Sequence, residues 1–235
     1  MPMDFNLGLA IVWYVIFVVS TTFHEASHAL VAFKLGDPTA HQHGLVTLDP
    51  VPHLRRSPFG MIAVPLVSFL LAGWMVGWAS VPCDPYWAQS NRRKAAKIAL
   101  AGPAANLALV VLAALVIRAG ILLGYFHAPE QITFNQVTAA ASPGPANGVA
   151  IIVSILFSLN LILFVFNLIP LPPLDGSQGI LLVLDASTAE RYMAFMYQPS
   201  SRIIGLVVAW NLMGYVFRPI HTFALNILYP GAGYH

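Results

Sequence analysis

The sequence predicts an all-α, polytopic membrane protein with about five to six transmembrane or re-entrant segments and a short β-strand in the loop after the first helix. Apolar residues occupy 58% of its 235 positions and charged residues only 9%, whereas soluble domains carry about 25% charged residues. A chain with so little charge cannot cover a water-facing surface, so we expect the lipid bilayer to be its solvent. Because the net charge is only +2 and no basic stripe with interleaved aromatic residues is present, we expect no nucleic-acid partner.

Apolar runs separated by proline-rich or charged stretches divide the chain, which we interpret as a single membrane domain over residues 1–235. In order, the predicted segments are a helix at 5–35, a loop at 36–58, an apolar segment at 59–80, a helix at 95–119, an external loop at 120–148, a helix and the motif after it at 149–176, and C-terminal helical segments at 177–235. The main helices approach or exceed the length of about 20 residues that crosses a bilayer. The loop at 36–58 is rich in proline, and its alternating stretch 44–48 predicts the short strand.

The distribution of lysine and arginine predicts the orientation, because cytoplasmic loops are enriched in both. The tail before residue 5 and the loop at 120–148 contain neither, so we expect them outside. The basic residues expected inside are Lys34, Arg55, Arg56, Arg92, Arg93, Lys94, Lys97, Arg191 and Arg202. Since basic residues flank the segment at 59–80 on both sides, we expect it to be re-entrant or a hairpin.

The strongest chemical signal is the run His24-Glu25-Ala26-Ser27-His28. Positions 24 and 28 lie about one turn apart on one face of a helix, so their imidazoles can bind one zinc ion. The intervening glutamate can then serve as the general base towards water. A charged group in hydrocarbon costs about 2.5–3.5 kcal/mol, which favours a functional role over an ordinary helix end at the membrane surface.

Asp175 is the candidate for a third ligand, because catalytic zinc sites use three protein ligands. It lies in the proline-broken stretch after the helix at 149–168, and the charge distribution predicts that it lies at the same membrane face as His28. Pro-Leu-Asp-Gly is also an ordinary turn sequence, and that interpretation stands beside the ligand interpretation.

Three motifs together resemble the site-2 protease family of intramembrane zinc metalloproteases. They are Phe-His-Glu-Ala-Ser-His-Ala-Leu at 23–30, Ala-Gly-Pro-Ala-Ala-Asn at 101–106, and the stretch 167–176, in which Asp175 follows Asn167 by eight residues. The resemblance covers about 16–179 and is closest to compact prokaryotic members that lack PDZ or CBS domains. It implies one Zn²⁺ per chain held by His24, His28 and Asp175, with Glu25 as the general base.

The same resemblance implies a substrate and a location. The substrate would be a transmembrane protein, hydrolysed in or near its membrane-spanning segment by zinc-activated water. The enzyme would be a multi-pass protein of a prokaryotic cell membrane with its active site towards the cytoplasmic side. The sequence does not indicate an oligomeric state. Two other classes remain open, namely a zinc-binding sensor or scaffold without protease activity and a metal transporter.

Several further polar residues have two interpretations each. Asn106 and Asn167 would bind the oxyanion or the substrate backbone, or would form hydrogen bonds between helices. His41 and His43 would form a second metal site or would be solvated loop residues, and the role of His53 is open. Gly102, together with Ala105, is expected to allow close helix packing.

Overall fold

A computed structural model describes residues 6–234, which fold almost entirely into helices. In chain order the helices are α1 (Leu7–Leu35), α2 (Thr39–Gln42), α3 (Pro50–Arg56), a π-helical turn (Phe59–Ala63), α4 (Val64–Ala72), α5 (Pro85–Ser90), α6 (Arg92–Leu122), α7 (Pro145–Leu168), α8 (Asp175–Gly179), a 3₁₀ turn (Ile180–Leu182), α9 (Ala186–Met196) and α10 (Pro199–Leu228). Within the described chain, α1, α6, α7 and α10 are each long and apolar enough to span a membrane. The predicted all-α polytopic fold is confirmed.

Helix α1 is fixed at both ends by specific hydrogen bonds. The Asn6 side chain accepts from the backbone N–H of Leu9 at 3.0 Å, which caps the first turn. Gly36 ends the helix in a left-handed conformation with φ of 105°, which glycine adopts without steric cost. The Lys94 ammonium, at the start of α6, donates to the carbonyl of Leu35 at 3.3 Å. The start of α6 therefore lies beside the end of α1, and the predicted helix start at residue 5 lies outside the described residues.

Helix α6 packs between α1 and α7 and forms the centre of the molecule. One apolar cluster joins α1 and α7 through fully buried Trp13, Phe17 and Ile155. A second cluster joins α6, α7 and α10 through residues such as Ala113, Phe157 and Leu225. Helix α10 runs without a break through Pro219, which lies in its interior. Only 11% of the most apolar 18-residue stretch of α10 is buried inside the protein. Most of the surface of this stretch is therefore free to face lipid.

The apolar segment at 59–80 runs out and returns. After the π-helical turn and α4, the chain reverses at Gly73, whose φ of 76° is left-handed. An extended stretch then leads back, and the backbone N–H of Trp78 donates to the carbonyl of Gly60 at 3.1 Å. The Ser68 hydroxyl bonds the backbone N–H of Val76 at 3.0 Å inside this turn. The bond between Trp78 and Gly60 brings the two ends of the segment near each other. The chain also bends by 110° between α3 and the helix that follows it, Phe59–Ala72.

The structure forms no strand at 44–48, where the sequence predicts one. Leu45 is buried against Ala29 and Ala40, and its backbone N–H donates to the carbonyl of Ala40. Asp49 then caps α3 by accepting from Val51 at 2.9 Å, which turns the chain away from an extended path. Alternation alone does not make a strand without a neighbour to pair with. Within residues 6–234 the sheet is instead Phe126–His127, antiparallel to Ala139–Ala140, in the loop between α6 and α7.

Candidate metal centre

Helix α1 places two imidazoles beside each other in the interior. His24 and His28 are 7% and 6% exposed, and their ring centroids lie 4.6 Å apart at an interplanar angle of 80°. The two Nε2 atoms are 3.0 Å apart. Spacing of four residues on one helix therefore directs the same nitrogen of both rings to one point, as the motif predicts.

The chain after α7 brings Asp175 to the same point. Helix α7 ends at Leu168, and the prolines that follow cannot continue it. The chain then doubles back so closely that a Cβ on Gly176 would collide with the carbonyl of Leu168. This turn places Asp175 Oδ2 at 3.0 Å from His24 Nε2 and 3.3 Å from His28 Nε2. The three candidate ligand atoms lie within 4.8 Å of one another.

The hydrogen bonds on the far side of each ring define which atoms face this point. His28 Nδ1 lies 2.7 Å from the carbonyl oxygen of Ile98, which can only accept, so Nδ1 carries the proton. His24 Nδ1 lies 2.6 Å from Asn106 Oδ1 and donates to it in the same way. In neutral rings both Nε2 atoms therefore present lone pairs.

Two nitrogen lone pairs and a carboxylate oxygen at these distances repel one another unless a cation or a proton lies between them. Within residues 6–234, Asp175 Oδ2 is buried and accepts no hydrogen bond, which agrees with a cation as its partner. Two histidines and one carboxylate are also a donor set that catalytic zinc sites use. The residues present therefore fit a zinc ion, and the fourth ligand position would be left to water or substrate.

Gly102 on α6 lies directly over the two rings. A Cβ at this position would collide with Nε2 of His28 and would also press on the ring of His24. Only glycine leaves room for the imidazoles and for an ion beside them. The sequence indicated close packing at Gly102, but it gave no sign that the close neighbours are the candidate ligands.

Glu25 lies between the two histidines on α1 and is only 5% exposed. A buried carboxylate next to two imidazoles is costly unless a nearby positive charge offsets it. Its role as the general base stays a prediction.

The two predicted asparagines lie in different surroundings. Asn106 is fully buried, and its Oδ1 contacts His24 while its Nδ2 donates to Asn160 Oδ1 at 2.8 Å. Asn167 is half-buried, and its amide donates to the carbonyl of Leu163 in its own helix at 3.0 Å. Within residues 6–234, Asn167 forms no hydrogen bond with His24, His28 or Asp175.

Within residues 6–234, the three other histidines that the sequence singled out do not join the centre. His53 is 2% exposed, and its Nε2 bonds the carbonyl of Thr47 at 3.1 Å, which holds the preceding loop against α3. His41 is exposed, with its ring 4.3 Å from that of Phe33. His43 is exposed and bonds the carbonyl of Thr39. In the part of the chain that is described, His24, His28 and Asp175 are the one group able to hold a metal.

The sequence analysis missed two buried polar residues that continue the hydrogen bonds beyond Asn106. Asn160 on α7 donates from Nδ2 to the Ser20 hydroxyl of α1 at 2.9 Å. Both residues are fully buried. The available signal was an amide in the middle of an apolar helix, seven residues before Asn167, but the sequence could not show the direction in which it points.

Comparison with known protein families and proteins gives one family and several bacterial relatives. The model of peptidase family M50 matches residues 12–211. A Bacillus subtilis protein named "Putative zinc metalloprotease YwhC" is 38% identical over 68% of this chain and 63% of its own length. A Mycobacterium tuberculosis protein named "Putative zinc metalloprotease Rip2" is 30% identical over 68% of this chain and 52% of its own length. The matches therefore cover only half to two thirds of these relatives, and no solved structure matches significantly.

Proposed function

This chain belongs to peptidase family M50, the site-2 protease family, and from that premise we propose that it is an intramembrane zinc metalloprotease. The observation that carries the proposal is the convergence of His24 Nε2, His28 Nε2 and Asp175 Oδ2 on one buried point. One Zn²⁺ per chain is the cation that this set of acceptors would hold. Neither the sensor nor the transporter interpretation accounts for Glu25 beside these ligands.

The reaction we propose is hydrolysis of a peptide bond in or near a transmembrane segment of a membrane-protein substrate. Zinc, when bound, would act as a Lewis acid towards the scissile carbonyl and allow water to ionise near neutral pH. Glu25 accepts a proton from the attacking water and returns it to the leaving amine. His24 and His28 keep their Nε2 lone pairs directed inwards because Asn106 and Ile98 hold their Nδ1 protons.

The remaining predicted site residues support this reaction in different ways. We assign Asn106 to positioning, because both ends of its amide are occupied by His24 and Asn160. Asn167 keeps one amide N–H beyond its bond to Leu163 and remains the candidate for binding the substrate backbone. His53 is assigned to holding the loop before α3, through its bond to Thr47.

The location we propose is a prokaryotic cell membrane, with the metal centre nearer the cytoplasmic side. The apolar helices make the chain an integral membrane protein, and the relatives are bacterial. The basic residues near the end of α1 and the start of α6, among them Lys34 and Lys94, favour the inside for that end. The lipid bilayer and a transmembrane substrate are the partners expected.

The proposal is tested with purified protein in detergent, by zinc analysis and by cleavage of model transmembrane substrates. We expect one zinc per wild-type chain and cleavage that is abolished in Glu25→Gln, which keeps its zinc. Asp175→Ala should lose both zinc and activity. Full proteolysis by Glu25→Gln would refute the mechanism, and unchanged zinc in Asp175→Ala would remove that residue from the ligands.

Uptake of zinc into proteoliposomes without any cleavage would favour a transporter. Zinc binding that Glu25→Gln leaves unchanged, with no substrate cut by the wild type, would favour a sensor or scaffold. These outcomes separate the three classes, because each predicts a different pair of results for transport and proteolysis.

A further inference from the structure

A line of buried amides connects the middle of α7 to the metal centre. It begins at the backbone carbonyl of Leu156, which accepts from Asn160 Nδ2 at 2.8 Å. Asn160 Oδ1 accepts from Asn106 Nδ2 at 2.8 Å, and Asn106 Oδ1 accepts from His24 Nδ1 at 2.6 Å. Asn106 and Asn160 are both 0% exposed. Each of these contacts is short enough to be a well-formed hydrogen bond.

The direction of every bond in this line follows from its first member. A backbone carbonyl can only accept, so the amide nitrogen of Asn160 must face Leu156, and its oxygen must face Asn106. The nitrogen of Asn106 must then face Asn160, and its oxygen must face His24. His24 is left with its proton on Nδ1 and its lone pair on Nε2, towards Asp175.

We propose that Asn160 is a positioning residue for the metal centre, acting through Asn106 to fix which nitrogen of His24 is available to bind the ion. The proposal rests on the zinc site described under the proposed function. This role would fix the proton of His24 on Nδ1. The carbonyl of Ile98 does the same for His28 by bonding its Nδ1 directly. For His24 the backbone carbonyl is two amides away, on a different helix.

The buried setting makes the direction of the line strongly preferred. Reversing the amide of Asn160 would place its oxygen against the carbonyl oxygen of Leu156. Its nitrogen would then face the amide nitrogen of Asn106. Two buried acceptors would then face each other and would lose their donors, and such unsatisfied groups are costly where water is excluded. The Ser20 hydroxyl does not set the direction, because a hydroxyl can donate or accept.

The alternative role for Asn160 is to join helices α1, α6 and α7 without influence on the ion. The two roles differ in what is lost when the amide is removed. A residue that only joins helices changes thermal stability and leaves zinc affinity unchanged. A residue that orients His24 through Asn106 changes zinc affinity, and that change disappears once Asn106 is already absent.

The experiment is a double-mutant cycle on zinc affinity, measured by competition with a chelator on the purified full chain in detergent. Removal of groups that orient metal ligands typically weakens affinity by about 10–100-fold. We expect Asn106→Leu to fall in that range, Asn160→Leu to lose about tenfold, and the double variant to match Asn106→Leu alone. Ser158→Ala is the matched control, because Ser158 is fully buried on the same helix and its hydroxyl has no hydrogen-bond partner among residues 6–234.

Two outcomes would overturn the proposal. One is wild-type affinity in Asn160→Leu with a lowered melting temperature, and the other is fully additive losses in the double variant. If Asn160→Leu does not fold, Asn160→Asp is decisive. Burial favours the neutral carboxyl, which donates its O–H to the carbonyl of Leu156, keeps an oxygen facing Asn106, and should retain affinity within about threefold. A loss in Asn160→Asp as large as that of Asn106→Leu refutes the inference. Failure of the wild type to bind zinc would instead refute the proposed function.

Discussion

At the scale of single residues, the proposed metal centre depends on groups that leave two lone pairs and a space free for an ion. His24 and His28 present lone pairs only because Asn106 and Ile98 bind their other nitrogens. Gly102 contributes no side chain, and the space above the two rings exists for that reason. The chemistry of this site is therefore specified as much by the surroundings of the ligands as by the ligands.

Gly102→Ala is expected to separate stability from metal binding. Alanine in a helix interior is usually more stable than glycine by about 0.5–1 kcal/mol, but here the Cβ would displace both imidazoles. We expect zinc content and proteolysis to be lost while α6 remains folded, as measured by metal analysis and circular dichroism. Gly214→Ala is the matched control, because a Cβ on this α10 glycine would meet nothing within 4 Å. Normal zinc content in Gly102→Ala would contradict this role for the glycine.

The sequence indicated the ligands more readily than the residues that orient them. The spacing of His24 and His28 is a property of one helix, so it can be read along the chain. Asp175 needed the distribution of charges and a family motif, because it reaches the site by a tertiary turn. Asn160 could not be assigned, since its role depends on the rotation of α7 against α6, which no local pattern specifies.

At the scale of elements, the segments between the long helices are held by buried polar contacts. Asp37, which is fully buried just after α1, accepts from the backbone and hydroxyl of Thr39 at 3.0 and 2.6 Å. Its second oxygen accepts from the backbone N–H of Asp84 at 3.1 Å. Arg56 adds a bond from Nε to the carbonyl of Ser80 at 3.0 Å. These contacts tie the extended return stretch before α5 to the ends of α1 and α3.

Asp37→Ala is expected to loosen that return stretch. The substitution leaves the part-buried N–H groups of Thr39 and Asp84 without these acceptors, at a cost of up to about 1–3 kcal/mol each. Hydrogen–deuterium exchange over 75–84 should accelerate in the variant, whereas the long helices should keep their protection. Asp185→Ala is the comparison, because it removes an exposed helix-capping carboxylate near α9 and should leave exchange over 75–84 unchanged. Unaltered exchange there in Asp37→Ala would show that other contacts hold the stretch.

The difference at 44–48 also belongs to this scale. The alternating residues meet the sequence requirement for a strand, but a strand is defined by its neighbour, and the capping of α3 by Asp49 draws the chain into a turn. Helix ends were more predictable, since Gly36 and the prolines after α7 act locally. The two-stranded sheet between α6 and α7 was missed, because each strand has only two residues and leaves no periodic pattern.

At the scale of the whole molecule, one ion would add a further link between helices that packing and hydrogen bonds already join. His24 and His28 come from α1, and Asp175 comes from the turn after α7. Helix α6 lies between them and supplies Gly102 and Asn106. Zinc binding should therefore stabilise the arrangement of all three helices, not only the local turn.

Removal of zinc is expected to lower the melting temperature of the wild type. A ligand that binds only the folded state stabilises it by about 4.1 kcal/mol when its free concentration is a thousand times Kd. Scanning fluorimetry with and without chelator should show a shift in the wild type and in Glu25→Gln. His28→Ala should show none, since one ligand is missing. An equal shift in His28→Ala would mean that the chelator acts elsewhere on the protein.

The separation of the ligands along the chain has a consequence for synthesis. Asp175 follows His28 by 147 residues (175 − 28 = 147), so a ribosome adds that many residues before the third candidate ligand exists. Until then the growing chain carries Glu25 and two imidazoles without the carboxylate that completes the set. The proposed centre can therefore assemble only after α1, α6 and α7 have all been made. A chain that stops short of Asp175 would carry only two of the three candidate ligands.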